Sequence, residues 1–257
     1  MSPSSLQLPN LLFHTVRARL SNELRLYYLH FAWWFVEPLL DMMIYYVVFA
    51  ILLKQGTDNY VPFLLIGIVF WAWFNRSLQN GSLSILHAKD LMAQMNLPKA
   101  FFPIATVCQD FVKQFFVLAV LIIFLIIYGM PISLPWLCLP VLMAVQFILI
   151  LGLAIFLAAV VPFFPDLKFV IAAGLQLMVF VSGVFFDIDL TVLPVHRSIV
   201  YLNPIAGLLR NYRLILMQGV WPDWYYLLGA FLSASLLLLL SLLLVRRFGH
   251  IYPKIVI

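Results

Sequence analysis

Long apolar runs alternate with short polar breaks along almost the whole chain. Six runs approach or exceed the ~20 apolar residues a helix needs to cross a bilayer: 31–53, 61–85, 102–128, 136–161, 168–186 and 224–245. The breaks include QGTDN, YGMP and PFFPD, rich in the Gly, Pro, Asn and Asp that end helices. The pattern predicts an all-α membrane protein with six transmembrane helices. Ahead of the first run, residues 10–28 place Leu12, Val16, Leu20, Leu24 and Tyr27 on one helical stripe, with Arg17, Ser21 and Arg25 off it. That segment is amphipathic and too polar to span, so an N-terminal interfacial helix is expected. Between the fifth and sixth runs, NPIAGLLRNYRLILMQG has an N-cap in Asn203, Pro204 in the first turn and Gly219 after the last turn. It is too short to span, so region 187–219 is expected to hold a short re-entrant or gate helix.

A second kind of segment separates the second and third runs. Residues 87–104 read HAKDLMAQMNLPKAFFPI. A short helix over 87–98, stopped by Leu97-Pro98, fits the sequence. His87, Lys89, Asp90, Gln94 and Asn96 are polar, whereas Leu86, Leu91, Met92 and Met95 form an apolar edge. Such a helix either rests on the membrane surface or inserts its apolar edge into the groove of a partner.

Composition narrows the class. The chain has 257 residues, 65% of them hydrophobic and 10% charged, against roughly a quarter charged in a soluble domain. One domain, 1–257, is expected. Its formal charge of +5 does not point to nucleic acid, because the basic residues collect at the ends of the runs. With the N-terminus inside, the cytoplasmic segments hold Arg17, Arg19, Arg25, Lys89, Lys99, Lys168, Arg246, Arg247 and Lys254. The opposite segments hold Lys54, Arg197, Arg210 and Arg213. That bias predicts two cytoplasmic termini, and Trp221, Trp224, Tyr225 and Tyr226 fit an aromatic belt on the outer side. The polar start, MSPSSLQLPN, does not read as a cleavable signal peptide. Cys108 and Cys138 fall near opposite ends of neighbouring runs and imply no disulfide framework. The five histidines are scattered, so no metal site is expected, and no nucleophile elbow or paired-acid motif marks a catalytic centre. The chain also has no G-x-x-x-x-G-K-[ST] phosphate cradle, so any ATP-driven role calls for a separate ATPase.

Ionisable residues within apolar runs are costly and draw attention to function. Glu37 and Asp41 lie four apart on one face of the first run. Arg76 in the second run and Asp110 and Lys113 in the third fall at similar depths. Glu37 or Asp41 is expected to pair with Arg76, and Asp110 with Lys113 or a neighbouring helix. Fixing helix registry is the preferred role for these pairs over touching a substrate. Gln79, Asn80, Ser82, Gln176 and Ser182 could add polar lining.

Three stretches carry a family resemblance: WWFVEPLLDMMIYYVVF (33–49), LMAQMNLPKAFFPI (91–104), and SGVFFDID (182–189) with LNP (202–204). In order and spacing the chain resembles the membrane subunit of ABC-2 type exporters, in the polysaccharide branch that exports O-antigen, capsule or teichoic acid. The resemblance implies a permease subunit of the bacterial cytoplasmic (inner) membrane that is not itself an enzyme. It would work as a homodimer with two copies of a cytoplasmic ATPase, which bind ATP and Mg; this chain would carry no cofactor. The cargo implied is polysaccharide on an undecaprenyl-pyrophosphate-type carrier. Residues 87–98 would be a coupling helix, with His87, Lys89, Asp90, Met92, Gln94, Asn96 and Pro98 facing the ATPase. Trp33, Trp34, Tyr45, Tyr46, Trp71, Trp73 and Phe74 would line a sugar path, the alternative being interfacial anchoring and packing. Arg17, Arg19 and Arg25 would guide the lipid pyrophosphate inward, or else anchor to anionic membrane lipids. Region 187–219 would form an outer gate with Asn203, Pro204 and Arg210 at its mouth. Two other readings stand beside this one: an ABC-2 exporter of a drug or small lipid, and a membrane-embedded transferase. The last lacks the His/Asp/Glu constellation it would need.

Overall fold

The computed structural model describes residues 8–26, 30–52, 59–88, 92, 97–249 and 251–252, and among these every regular element is helical. In chain order the helices are α1 (Leu8–Leu26), α2 (His30–Tyr46, continued by a π-helical turn Val47–Leu52), α3 (Tyr60–Ser82), α4 (Phe101–Tyr128) and α5 (Leu139–Val160, entered through a 3-10 turn Leu134–Cys138). Then come α6 (Leu167–Val181), α7 (Ile188–Thr191), α8 (Pro194–Val200), α9 (Pro204–Arg213, with a π-helical turn Leu214–Gln218) and α10 (Trp224–Phe248). The ends follow local chemistry. Gly129 closes α4 in the left-handed region at φ 92°, where a residue without Cβ is at no disadvantage. The Asn203 side chain caps α9 by accepting from the Ile205 N–H, and Asp223 caps α10 by accepting from the Tyr226 N–H.

The bundle is organised around α3. Helices α2, α4, α5, α6 and α9 all pack on it, and Leu64, Ile66, Phe70 and Trp73 on α3 are essentially inaccessible. On the far side, α5 and α10 share the most extensive interface in the molecule. Gly152 lets the backbones close up, since a Cβ there would stand 3.0 Å from the Leu238 nitrogen. Ala230, Ala234 and Ser241 supply small residues on the buried side of α10, the device by which apolar helices pack closely in lipid. A second apolar cluster lies beyond the Ser82 end of α3. It gathers Ile85, Met92, Leu97, Phe102, Ile155 and Tyr252, with Leu11 and Leu12 of α1 packed against it.

Four helices among the described residues are long and apolar enough to cross a bilayer: Tyr60–Ser82, Phe101–Tyr128, Leu134–Val160 and Trp224–Phe248. The chain is therefore a multi-pass membrane protein, consistent with the bacterial inner membrane. The expected count of six spanning helices is corrected by this finding. The run 168–186 forms only the 15-residue helix α6, about 22 Å long at 1.5 Å per residue. It ends at Ser182 and Gly183, the latter at φ 68°. The run 31–53 contains Glu37, Pro38 and Asp41; its α-helix stops at Tyr46 and passes into a π-turn. The six-crossing topology falls with that count.

The two special helices of the expected fold are not identified either. Within 87–98, the described residues form the 3-10 turn Leu86–Ala88, and Met92 and Leu97 are buried in the protein's own second cluster. Of the apolar edge expected to reach a partner, Met92 is thus turned inward and Leu86 is half-buried, while Leu91 and Met95 lie outside the described residues. No gate is identified in region 187–219, although the short helix expected between Asn203 and Gly219 forms as α9 and its π-helical turn. Pro194 and Pro204 restart the chain twice, giving the separate pieces α7, α8 and α9.

Candidate functional site

Two polar regions interrupt the apolar bundle. The first is a cavity of ≈ 500 Å³ lined from α2, α3, α4 and α6. Its wall on α3 is a stripe at helical spacing: Ala72, then Asn75 and Arg76, then Gln79 and Asn80. Glu37 and Asp41 come in from α2, Gln114 from α4 and Gln176 from α6, while Trp71 adds an aromatic face. Part of this polarity is internally satisfied. Gln79 Nε2 donates to Asn75 Oδ1 at 2.9 Å, and Asn80 Nδ2 donates to Asp110 Oδ2 at 3.3 Å. Behind it, Lys113 Nζ lies 3.8 Å from Asp110 Oδ1, with both side chains buried. The expected Asp110–Lys113 pair is thus present, one helical turn apart on α4. Arg76 and the two α2 carboxylates share the cavity but form no ion pair among the described residues.

The second region is the junction of α3, α9 and the turn after α6. Arg213 is buried, and its guanidinium donates to three backbone carbonyls: Phe63 O at 3.3 Å, Gly183 O at 2.7 Å and Val184 O at 2.8 Å. It also lies 3.5 Å from the centre of the Phe63 ring. Gly67 makes the room, because a Cβ there would stand 2.5 Å from Arg213 Nη2 and 2.9 Å from the Val184 oxygen. Beside it, Arg210 Nε donates to Asp189 Oδ2 at 2.7 Å, and the Tyr201 hydroxyl donates to Asp189 Oδ1 at 2.9 Å. Burial, then the bond to Asp189, pushes the Tyr201 phenol well above its ordinary range, so it stays a donor. These groups border a cavity of ≈ 560 Å³.

No protein-family model matches the chain. It is, however, similar along most of its length to O-antigen export system permease proteins. One, RfbA of Klebsiella pneumoniae, is 27% identical over 227 residues, covering 88% of this chain and 86% of the relative. A second from the same organism is 26% identical over 229 residues, covering 88% and 87%. RfbA of Myxococcus xanthus is 27% identical over 218 residues, covering 84% of each. These similarities, with the helical multi-span fold, support the broad ABC-2 exporter family.

The residues singled out by resemblance to the ABC-2 exporters are dispersed. Trp71 lines the polar cavity, whereas Trp73 is wholly buried and packs 5.6 Å from the Phe111 ring. Phe74 is buried beside Trp71, and Tyr46 sits 6.5 Å from Tyr60. The side chains of Trp33, Trp34, Tyr45 and Arg25 lie outside the described residues. Arg17 is exposed on α1, and Arg19 Nη1 donates to Thr106 Oγ1 of α4 at 3.1 Å. His87 and Pro98 are exposed and Met92 is buried, while Lys89, Asp90, Gln94 and Asn96 lie outside the described residues. Asn203 and Pro204 start α9, where Asn203 Nδ2 also donates to Ser182 Oγ at 2.8 Å. Sequence reasoning missed Asn75 and Gln114 of the cavity, and the Arg213 clasp. Asn75 was findable from the i, i+4 spacing with Gln79, and Gln114 from the same spacing with Asp110.

Proposed function

We propose that this chain is the transmembrane permease subunit of an ATP-driven exporter that moves a lipid-linked, O-antigen-like polysaccharide across the cytoplasmic membrane. The observation that carries the reading is the near end-to-end similarity to permease proteins whose names state O-antigen export. A polar cavity in a bundle of otherwise apolar helices adds to it, since a hydroxyl-rich cargo needs hydrogen-bonding walls in a lipid environment. Similarity to ABC-2 permeases implies pairing with a nucleotide-binding ATPase, which supplies ATP hydrolysis from a separate chain. In this reading two copies of the chain join two ATPase copies. Trp71, on the cavity wall, offers an aromatic face to the apolar side of sugar rings. Arg17, exposed on α1, is available to the pyrophosphate of the carrier, with Arg19 and Arg25 on the same helix.

The test is genetic and direct. Deleting the gene in its native host should remove the surface polysaccharide and leave lipid-linked polymer inside, with both restored by the intact gene. Surface polysaccharide unchanged by the deletion would refute the reading. Copurification of an ATPase with the tagged chain checks the partnership.

A further inference from the structure

Gln114 is completely buried, yet neither its amide oxygen nor its amide nitrogen has a hydrogen-bond partner among the described residues. Arg76 Nε, in the wall of the same cavity, is likewise buried without a partner. Buried polar groups in folded proteins are almost always paired, so an unpaired, fully buried amide in the wall of a cavity marks a place that something else completes. The groups on offer are specific. Gln114 supplies one acceptor and one donor group, and Arg76 Nε adds a donor. A hydroxyl both donates and accepts, so neighbouring hydroxyls on one ring match this set. An aliphatic chain matches none of it, and an ionised phosphate or carboxylate cannot donate to the Gln114 oxygen. At ≈ 500 Å³ the space falls within the range of small-molecule sites.

Charge separates neutral from anionic ligands. The lining holds two carboxylates, Glu37 and Asp41, against the single guanidinium of Arg76, a formal balance of one negative charge. An anion entering here would be desolvated beside like charges, the usual means of rejecting a wrong ligand.

We propose that this cavity binds a neutral, hydroxyl-rich sugar unit through Gln114 and Arg76, and that Glu37 and Asp41 bias it against anionic glycans. The inference rests on the polysaccharide-export reading and deepens it by assigning the charge class of the cargo.

The experiment uses the full-length protein with its ATPase partner in lipid nanodiscs, and two soluble probes of equal length, maltohexaose and hexagalacturonate. Maltohexaose should bind about 10-fold more tightly than hexagalacturonate, and Gln114→Met should weaken maltohexaose by about 10-fold. The pair Glu37→Gln and Asp41→Asn should raise hexagalacturonate affinity and close most of the gap. If Gln114→Met does not yield folded protein, the charge variants decide alone, because Glu37 is exposed on α2. Equal or reversed preference, insensitivity to both sets of changes, or binding of neither probe (a cavity holding only solvent) would overturn the proposal. Its failure is separable from failure of the export reading. If deletion removes surface polysaccharide but the probes bind in the wrong order, only the cavity assignment is lost.

Discussion

Helices α3 and α10 are nearly the same length, and either could cross a bilayer, yet they occupy opposite environments. Within the most apolar stretch of α3, 78% is buried inside the protein, against 22% for α10. Hydropathy runs the other way: 1.5 for α3 and 2.5 for α10. In water the most apolar helix would be the one most deeply enclosed. In lipid the apolar side chains of α10 gain little from leaving the surroundings, so its leucines at 228, 232, 236, 239, 240 and 243 stay outward. Helix α3 carries Asn75, Arg76, Ser77, Gln79 and Asn80, which need protein or solvent partners, and that need draws it to the centre. The lesson is that in this bundle polarity, rather than hydrophobicity, marks the helix around which the others assemble.

Substitutions can break that contrast, and the largest effect is expected at the tightest contact on α3. Gly67→Leu places a branched side chain where a single Cβ already meets Arg213 and the Val184 carbonyl. It should abolish monodisperse protein on size-exclusion chromatography. Next, Trp73→Ala empties a fully enclosed site beside Phe111 and should cost about 4 kcal/mol, read as a large drop in thermal unfolding temperature in detergent. Gly152→Val forces α5 away from the Leu238 backbone of α10. At about 2 kcal/mol it should destabilise less than Trp73→Ala, since α10 has one free face toward which to yield. Smallest of all, Leu240→Ala on the exposed face of α10 should stay within about 0.5 kcal/mol of the parent. Equal melting shifts for Trp73→Ala and Leu240→Ala would erase the distinction between hub and periphery.

The sequence made the long helices legible because each is a continuous apolar run with clear stops. The expected 61–85, 102–128, 136–161 and 224–245 lie within a few residues of Tyr60–Ser82, Phe101–Tyr128, Leu134–Val160 and Trp224–Phe248. Apolar content was a poor guide where backbone geometry intervened. Run 168–186 counts enough apolar residues to cross, but the left-handed Gly183 cuts its helix short. In 87–98 the same periodicity fits an outward or an inward apolar edge, and only tertiary packing places Met92 among Ile85, Ala88 and Leu97. The Asp110–Lys113 pair was readable because its members are one turn apart. The bonds from Arg213 to Gly183 and Val184 join positions 30 and 29 residues distant through backbone oxygens, and backbone acceptors leave no trace in the identity of their residues.

That guanidinium has a mechanical consequence. By gripping carbonyls on either side of itself it welds the start of α3, the end of α9 and the hairpin following α6 into one rigid block. Relative movement of these three segments would have to break those bonds, so they travel together as one body.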